Sequence, residues 1–360
     1  MRRRIVLSLL LLLPACGDPA PERVGVVVSG LPSRAAELAA DALADDAAPP
    51  FELTVVRRDP ISADTALAVA EMLAADARVL AVIGHSNSAA SLAASQVYNQ
   101  AGLVQIAPTT TAVAYGAAGP YSFRMVPGDD RQAAFIADHG QTGWPPASRI
   151  AIVYVNDDYG RSFYRELRPR LDDVVFEGIY SEQSDSAFLA GLARQLGEAQ
   201  PDLLIWLGRP VPLRVAMAYL RDALPAMRTI CGDACDNDAV YANRDQAFTG
   251  LRFVRFTDPA ADNDAMSAFR RAYQEVAGAP PSSEAILTYD AVVVIAAAFG
   301  DGMRDRRRVR DYLHSLGRSR PPVAGLGGEV AFDEAGNLLR DYLLADVAAG
   351  GTVPVPVVLR

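Results

Sequence analysis

Small hydroxyl side chains follow two apolar segments of this sequence, at the point where each segment ends. The segment 81–88 (AVIGHSNS) leads into Ser86 and Ser88, and the segment 105–111 (QIAPTTT) leads into Thr109–Thr111. Hydroxyl groups are suitable hydrogen-bond donors for a carboxylate. A helix that starts beside them adds unpaired N–H groups and a partial positive charge. These residues therefore predict a binding site for a small polar ligand.

The elements that position these residues read as alternating strands and helices. The predicted strands, each a short apolar run, are Val24–Val28, Phe51–Val56, Val79–Ile83, Leu103–Ala107, Arg149–Val155, Val174–Tyr180 and Leu203–Leu207. The predicted helices are Arg34–Asp45, Ala63–Ala75, about three turns after Ser88, Ser162–Leu171 and Ala187–Ala199. This alternation predicts an α/β fold with parallel sheets and right-handed crossovers. In such sheets ligands bind outside the carboxyl ends of the strands.

Three breaks in composition interrupt the alternation. Gly140–Pro146 carries turn signals between the halves, Asp258–Asp264 does so on the return, and Phe332–Asn337 forms a third turn between apolar strands. A chain of 360 residues is long enough for two domains. We therefore predict two Rossmann-like lobes joined by three hinge crossings.

The N-terminus predicts export. Arg2–Arg4 form a basic region, and Ile5–Leu13 form an apolar core that is too short to span a bilayer. The segment that follows, Leu13–Cys16, resembles the lipobox of bacterial lipoproteins, in which the cysteine is lipidated. An ordinary secretory signal is the alternative. We expect residues 1–16 to be a signal peptide, Cys16 to be the lipid attachment site, and the protein to be periplasmic or at the cell surface, anchored to the membrane.

Charge and cysteine content exclude or leave open several functions. Formal net charge is −9, and loss of Arg2–Arg4 makes it −12, which argues against binding to nucleic acid. The sequence shows no phosphate-loop or metal motif, and we expect no cofactor. Cys231 and Cys235 leave three possibilities open, which are a short-loop disulfide, two free thiols, or a metal site.

The chain resembles the Leu/Ile/Val-type substrate-binding proteins of bacterial ABC transporters, which have the type I periplasmic-binding-protein fold. The resemblance covers nearly everything after the signal peptide. Five stretches carry it, in the order and spacing of the family: AVIGHSNSAAS (81–91), VYNQAGLVQIAPTTTA (97–112), IAIVYVNDDYGRSF (150–163), TYDAVVVIAAAF (288–299) and VAFDEAGNLLRDYLLADV (330–347).

The resemblance implies ligand contacts from the first lobe. It places Ser88, with Ser86 as its neighbour, where family members bind the ligand carboxylate. It places Thr109 and Thr111 where they contact the amino-acid backbone. Serines and threonines at these places are also natural helix caps, and the sequence leaves that alternative open.

The resemblance also implies contacts from the second lobe. Tyr159, in the predicted turn Asp157–Gly160, matches an aromatic that closes over the ligand. The acid for the ligand ammonium falls in the loop CGDACDND, where Asp233 is the nearest carboxylate and Asp236 the second. Arg209 departs from the family, which often has an aromatic there. If its guanidinium faces inward, it would favour a ligand with a second acidic group; otherwise it lies on the lobe surface.

The implied function is that of the extracytoplasmic solute-binding component of an ABC importer, which closes on an amino acid or related ligand. The partners would be the permease and ATPase subunits and, through the lipid anchor, the membrane. We expect one lobe to contain residues 22–126 and 258–325, and the other residues 127–257 and 326–360. A ligand-sensing receptor domain that reports to a signalling partner is the alternative.

An enzyme is the third class considered. Gly84–Ser88 lies between a strand and a helix, as does the nucleophile elbow of an α/β-hydrolase with Ser86 as nucleophile, but Ser88 replaces the final glycine. Asp290 and His314 satisfy the hydrolase chain order only formally, and His314 lies in an arginine-rich helix that we expect to face solvent. The sequence therefore predicts a binding protein rather than an enzyme.

Overall fold

The computed structural model describes residues 21–28, 30–44, 51–56, 62–242, 246–349 and 351–357. The predicted signal segment 1–16 and its Cys16 lie outside the described residues. Two separate sheets of mostly parallel strands form the two lobes, so the predicted α/β class with two lobes is confirmed.

The first sheet contains five parallel strands in the order β2-β1-β3-β4-β5. These strands are β1 (Arg23–Val27), β2 (Glu52–Val55), β3 (Val79–Gly84), β4 (Val104–Ala107) and β5 (Ser122–Arg124). The helices that pack against it are α1 (Ser33–Ala44), α2 (Ala63–Ala75), α3 (Ser88–Gln100), α10 (Ser283–Gly300) and α11 (Arg306–Ser315), and α9 (Asp264–Ala277) packs on α1. Strands β3 and β4 are buried at every position, as expected of strands covered on both faces.

The second sheet contains seven strands in the order β14-β13-β10-β9-β8-β6-β7. Its strands are β6 (Ile150–Val155), β7 (Val174–Tyr180), β8 (Leu203–Leu207), β9 (Arg228–Cys231), β10 (Leu251–Arg255), β13 (Leu343–Ala348) and β14 (Gly351–Val355). Strand β13 runs antiparallel to both of its neighbours, and the other pairs are parallel. Its helices are α4 (Asp129–His139), α5 (Asp158–Leu167), α6 (Ser186–Glu198), α7 (Pro210–Ala223) and α8 (Asp238–Ala242). A two-stranded hairpin, β11 (Val323–Gly325) with β12 (Gly328–Val330), completes the described strands.

The chain passes from the first sheet to the second before it reaches the break predicted at Gly140–Pro146. Helix α4 already packs on α5, and its Phe135 ring lies 5.4 Å from the ring of Tyr342, which directly precedes β13 of the second sheet. The segment Gly140–Pro146 therefore connects α4 to β6 within one lobe, and the prediction that it separates the halves was wrong. Turn residues mark a local reversal of the chain, and they do not tell which sheet the next helix will cover.

The helix predicted over Ser162–Leu171 is also displaced. Helix α5 begins at Asp158 because the side chain of Asp157 accepts a hydrogen bond from the Gly160 N–H at 2.8 Å, which caps the first turn. The segment Asp157–Gly160 is thus the start of a helix rather than a free turn, and Tyr159 lies in the first helical turn.

Helix α10 is apolar and long enough, by length and composition alone, to cross a membrane. However, 72% of that stretch is buried inside the fold. It is explained as the core helix of the first lobe, packed against α1.

Candidate functional site

The loop after β3 is shaped by its glycine and by an asparagine cap. Gly84 has φ +143°, and a Cβ there would lie 2.5 Å from the Val27 carbonyl oxygen, so only glycine fits. The N-cap of α3 is Asn87, whose Oδ1 accepts from the Ala90 N–H at 2.8 Å. Ser86 and Ser88 are therefore not the cap. Ser88 is buried, and its Oγ accepts a 3.4 Å bond from the Ala112 N–H.

An arginine side chain fixes the backbone of the threonine segment after β4 through hydrogen bonds. The guanidinium of Arg124 donates from Nη1 to the carbonyl oxygens of Thr110, Thr111 and Ala112, at 3.2, 2.9 and 2.9 Å. Thr109 donates through Oγ1 to the Ser86 carbonyl oxygen at 3.3 Å, which joins the two hydroxyl loops. No helix is capped by a side chain here, since the short 3₁₀ turn that follows has no such bond.

Asp233 lies at the carboxyl end of β9, directly after Gly232. Its Oδ1 accepts from Gln132 Nε2 at 2.9 Å and from the Tyr159 hydroxyl at 3.0 Å. The Asp233 N–H donates to Gln132 Oε1 at 3.0 Å, so one glutamine fixes both the backbone and the carboxylate. A disulfide joins Cys231 to Cys235 around this residue.

Tyr159 and Arg209 form a layer behind Asp233. The tyrosine is 3% exposed, and the Arg209 guanidinium lies 5.0 Å from its ring centre. Arg209 also pairs with Asp157 at 2.9 Å and with Glu182 at 3.6 Å. Both carboxylates that pair with Arg209 therefore belong to the same lobe as the arginine.

A cleft of about 100 Å³ separates the hydroxyl loops of the first lobe from the Asp233 loop of the second. Three of the seven predicted ligand residues line it: Ser86, Thr109 and Asp233. The other four do not line it and belong to the loops and the layer behind it: Ser88, Thr111, Tyr159 and Arg209. The remaining lining residues are Ala234, Asp236, Asn237, Phe256, Ser283 and Glu284.

Sequence reasoning missed the contribution of α10. Ser283 and Glu284 begin this helix, and the Ser283 N–H donates to Asp236 Oδ1 across the lobes at 3.1 Å. The serine pair Ser282–Ser283 ahead of an acidic residue is a helix-start signal that could have pointed to this end of the helix.

The carboxyl groups at the cleft are poorly solvated. Burial raises the pKa of Asp236 to about 6, against the opposing effects of the Ser283 hydrogen bonds and the positive charge of Arg255. Burial likewise raises the pKa of Asp233, although Gln132 and Tyr159 stabilise its charged form. Behind them, burial raises the pKa of Asp129 to about 7. Ionised carboxylates in such surroundings favour a partner with positive charge.

The described residues contain no cluster of histidine, cysteine and carboxylate side chains that could hold a metal ion. The site is built from hydroxyl, carboxylate and amide groups, which suit a small polar organic ligand.

Comparison with known proteins agrees with this architecture. A family model described as "Periplasmic binding protein" matches residues 27–352. The Leu/Ile/Val-binding protein homolog 1 of Brucella abortus is 26% identical over 282 residues, which are 75% of this chain and 72% of that protein.

Two solved structures share the fold. The ABC transporter substrate-binding protein of Desulfitobacterium hafniense in complex with Leu has a TM-score of 0.76 at 24% identity, covering 93% of this chain and 100% of that one. The branched-chain amino acid transporter substrate binding protein of Streptococcus pneumoniae in complex with isoleucine has a TM-score of 0.81 at 20% identity, covering 93% and 99%. With two α/β lobes, a cleft between them and a family match over nearly the whole described chain, this protein belongs to the periplasmic binding protein family and has its type I fold.

Proposed function

We propose that this protein is the extracytoplasmic solute-binding component of an ABC importer, and that it binds an amino acid or related small polar ligand between its lobes. The observation that carries the proposal is the placement of Asp233, whose oriented carboxylate faces hydroxyl groups of the other lobe across the cleft. An α-amino acid presents an ammonium and a carboxylate, and these two walls offer one partner for each.

The first lobe would hold the ligand carboxylate. Ser86 and Thr109 line the cleft, and the N-terminus of α3 follows directly, with its partial positive charge. Ser88 and Thr111 stand next to these residues and are the second pair of hydroxyls proposed for this role. Asp233 would hold the ammonium, with Tyr159 and Arg209 supporting it from behind.

Closure of the lobes would couple binding to transport. We propose the lobe limits 22–126 with 258–325 and 127–257 with 326–360. In the present structure the lobes touch in two places, where the Ser283 N–H donates to Asp236 and the Val113 N–H donates to Ser162 Oγ at 3.0 Å. A ligand stabilises such a closed form only by the contacts it gains there. The permease and its ATPase subunits would then recognise the closed shape.

The proposal places the protein outside the cytoplasm, as the family implies, and attaches it to the membrane through a lipid on Cys16. Metabolic labelling with palmitate tests this attachment. Labelled protein in the membrane fraction supports the anchor, provided that Cys16→Ala abolishes the label. An unlabelled protein in the soluble periplasmic fraction contradicts it.

We propose no catalytic role for the cleft. Asp290, the formal acid of a hydrolase, accepts hydrogen bonds from the Leu326 and Gly327 N–H groups at 2.6 and 3.1 Å and so supports the β11–β12 hairpin. The His314 ring packs on Phe123, and its Nε2 lies 3.1 Å from the Pro120 carbonyl oxygen. Both groups are engaged in structural contacts.

A thermal-melt screen of the full-length protein in detergent tests the proposed function. The protein is first unfolded and refolded under oxidising conditions, which removes any ligand carried through purification. A ligand at 100 times its dissociation constant raises stability by about 2.7 kcal/mol, which is readily visible as a shift in Tm. A shift with any amino acid supports the proposal. Absence of a shift with every amino acid and short amide contradicts it.

A further inference from the structure

The lining of the cleft differs from what an aliphatic ligand requires. Among the described residues, its charged side chains are three carboxylates, Asp233, Asp236 and Glu284, with no arginine. In the same described lining, the apolar side chains are those of Ala234 and Phe256. A leucine or isoleucine side chain is stabilised by apolar surface, and this cleft provides little of it.

The charges of Arg209 and Arg255 act on Asp233 and Asp236, but each arginine also pairs with a carboxylate outside the lining. Arg209 pairs with Asp157 and Glu182 of its own lobe. Arg255 is 1% exposed and pairs with Asp258 at 3.0 Å, although its charge also acts on Asp236. Each guanidinium thus already has a carboxylate partner that lies outside the lining.

Asp236 shows where a second positive group would bind. This residue is 7% exposed, and it lines the cleft. Its Oδ1 accepts the Ser283 N–H, whereas no donor among the described residues lies within normal hydrogen-bond geometry of its buried Oδ2. The nearby Tyr241 hydroxyl and the charge of Arg255 favour the ionised carboxylate. A buried carboxylate oxygen without a donor is costly, and a donor supplied by the ligand would remove that cost.

We propose that the ligand is a basic amino acid, with its α-ammonium on Asp233 and a side-chain ammonium or guanidinium on Asp236 and Glu284. This inference rests on the proposed function, and it narrows the ligand to one class. The Glu284 side chain comes from the first lobe and Asp236 from the second, so a cationic side chain between them would also hold the lobes together.

Isothermal titration of the refolded full-length protein tests the ligand class. The probes are L-ornithine, L-lysine and L-arginine, compared with L-leucine, L-isoleucine and L-glutamate. We expect at least one basic amino acid to bind 100-fold or more tightly than the aliphatic and acidic ones. Tighter binding of leucine, isoleucine or glutamate overturns the inference but leaves the proposed function standing. Absence of binding by every amino acid overturns the proposed function itself.

Variants then locate the second cation. Asp236→Asn keeps the acceptor for the Ser283 N–H and removes only the charge, so the fold contact is retained. We expect it to weaken binding of the basic amino acid by about 30-fold or more, as is typical when one member of a buried charge pair is lost. Glu284→Gln provides a second test if Asp236→Asn fails to fold. Asp222→Asn, on the exposed face of α7, is the matched control and should leave affinity unchanged. Unchanged affinity in both cleft variants overturns the inference.

Discussion

The hydroxyl of Tyr159 donates a hydrogen bond to Oδ1 of Asp233 at 3.0 Å, and Gln132 donates to the same oxygen. Two donors on one oxygen fix the orientation of the carboxylate of a residue that lines the cleft. The tyrosine is therefore a positioning residue, and its ring is packed against Phe163 rather than exposed to a ligand.

Tyr159→Phe should weaken ligand binding without unfolding the protein. The substitution removes one hydrogen bond to a charged group, which is worth about 1.5–3 kcal/mol, so affinity should fall by roughly 10-fold or more. The ring and its packing remain, whereas Tyr159→Ala would leave a cavity and add a loss of stability. Titration calorimetry measures the affinity, and circular dichroism checks the fold. Tyr164→Phe, on the same helix, is the control; wild-type affinity in Tyr159→Phe would contradict the positioning role.

Stability of the ligand-free protein should increase as pH falls from about 8 to about 5. Burial raises the pKa of Asp129 to about 7 and those of Asp236 and Asp290 to about 6, above the ordinary value of 3.8. The folded state therefore binds these protons more tightly than the unfolded state. The stability gained on protonation grows as pH falls through the folded-state pKa values and is complete below 3.8. Carboxylates whose pKa is lowered, such as Asp76, lose their contribution only below this window. Burial lowers the pKa of His85 to about 4, so this one group opposes the rise within the window, and the three carboxyl groups outweigh it.

The pH dependence of Tm measures this effect. Asp129→Asn and Asp236→Asn should each flatten the rise, because each variant removes one of the buried titrating groups. Asp222→Asn removes an exposed charge and should leave the slope as it is. A Tm that is flat or falls between pH 8 and pH 5 would show that these carboxyls do not titrate in the folded protein as described.

Breaking the disulfide should weaken binding as well as stability. Cys231 and Cys235 enclose Asp233 in a loop of five residues, so the bond restricts a residue that lines the cleft. The entropy of closing so short a loop corresponds to about 2 kcal/mol of stability. We expect the double variant Cys231→Ser, Cys235→Ser to melt at lower temperature and to bind more weakly. Lower stability with unchanged affinity would show that Gln132 and Tyr159 alone fix the carboxylate.

The sequence predicted the strands and hydroxyl loops well because each depends on nearby residues. Glycine and apolar runs marked β3 and β4, and the loops that follow them reached the cleft through Ser86 and Thr109. The contribution of Glu284 was not predicted. That residue is almost 200 positions from Ser86 in sequence, and only the return of the chain to the first lobe brings α10 to the cleft.

Two further features could not be predicted from the sequence, namely the N-cap of α3 and the inward direction of an arginine of α11. Ser86, Asn87 and Ser88 are all good N-caps, and the structure uses Asn87, which leaves the two serines for other contacts. Arginine-rich α11 looked exposed along its length. However, Arg306 turns inward and donates to the carbonyl oxygens of Val79, Ala101, Ala74 and Asp76. A long side chain with five N–H donors can form hydrogen bonds with the backbone carbonyl oxygens of several neighbouring loops. The charge of an arginine in the sequence does not indicate whether it does so.

Gly232→Ala should disrupt the Asp233 loop. A Cβ at this position would lie 2.6 Å from the Phe163 ring and 2.7 Å from the Tyr159 hydroxyl, which are both buried and cannot move away freely. The displaced tyrosine would lose its bond to Asp233, so affinity and Tm should both fall. Gly191→Ala is the control, since a Cβ there meets nothing within 4 Å and alanine is the better helix former, by about 1 kcal/mol. Measured Tm and affinity of Gly232→Ala equal to those of Gly191→Ala would mean that the close packing of Gly232 on Tyr159 does not position the carboxylate.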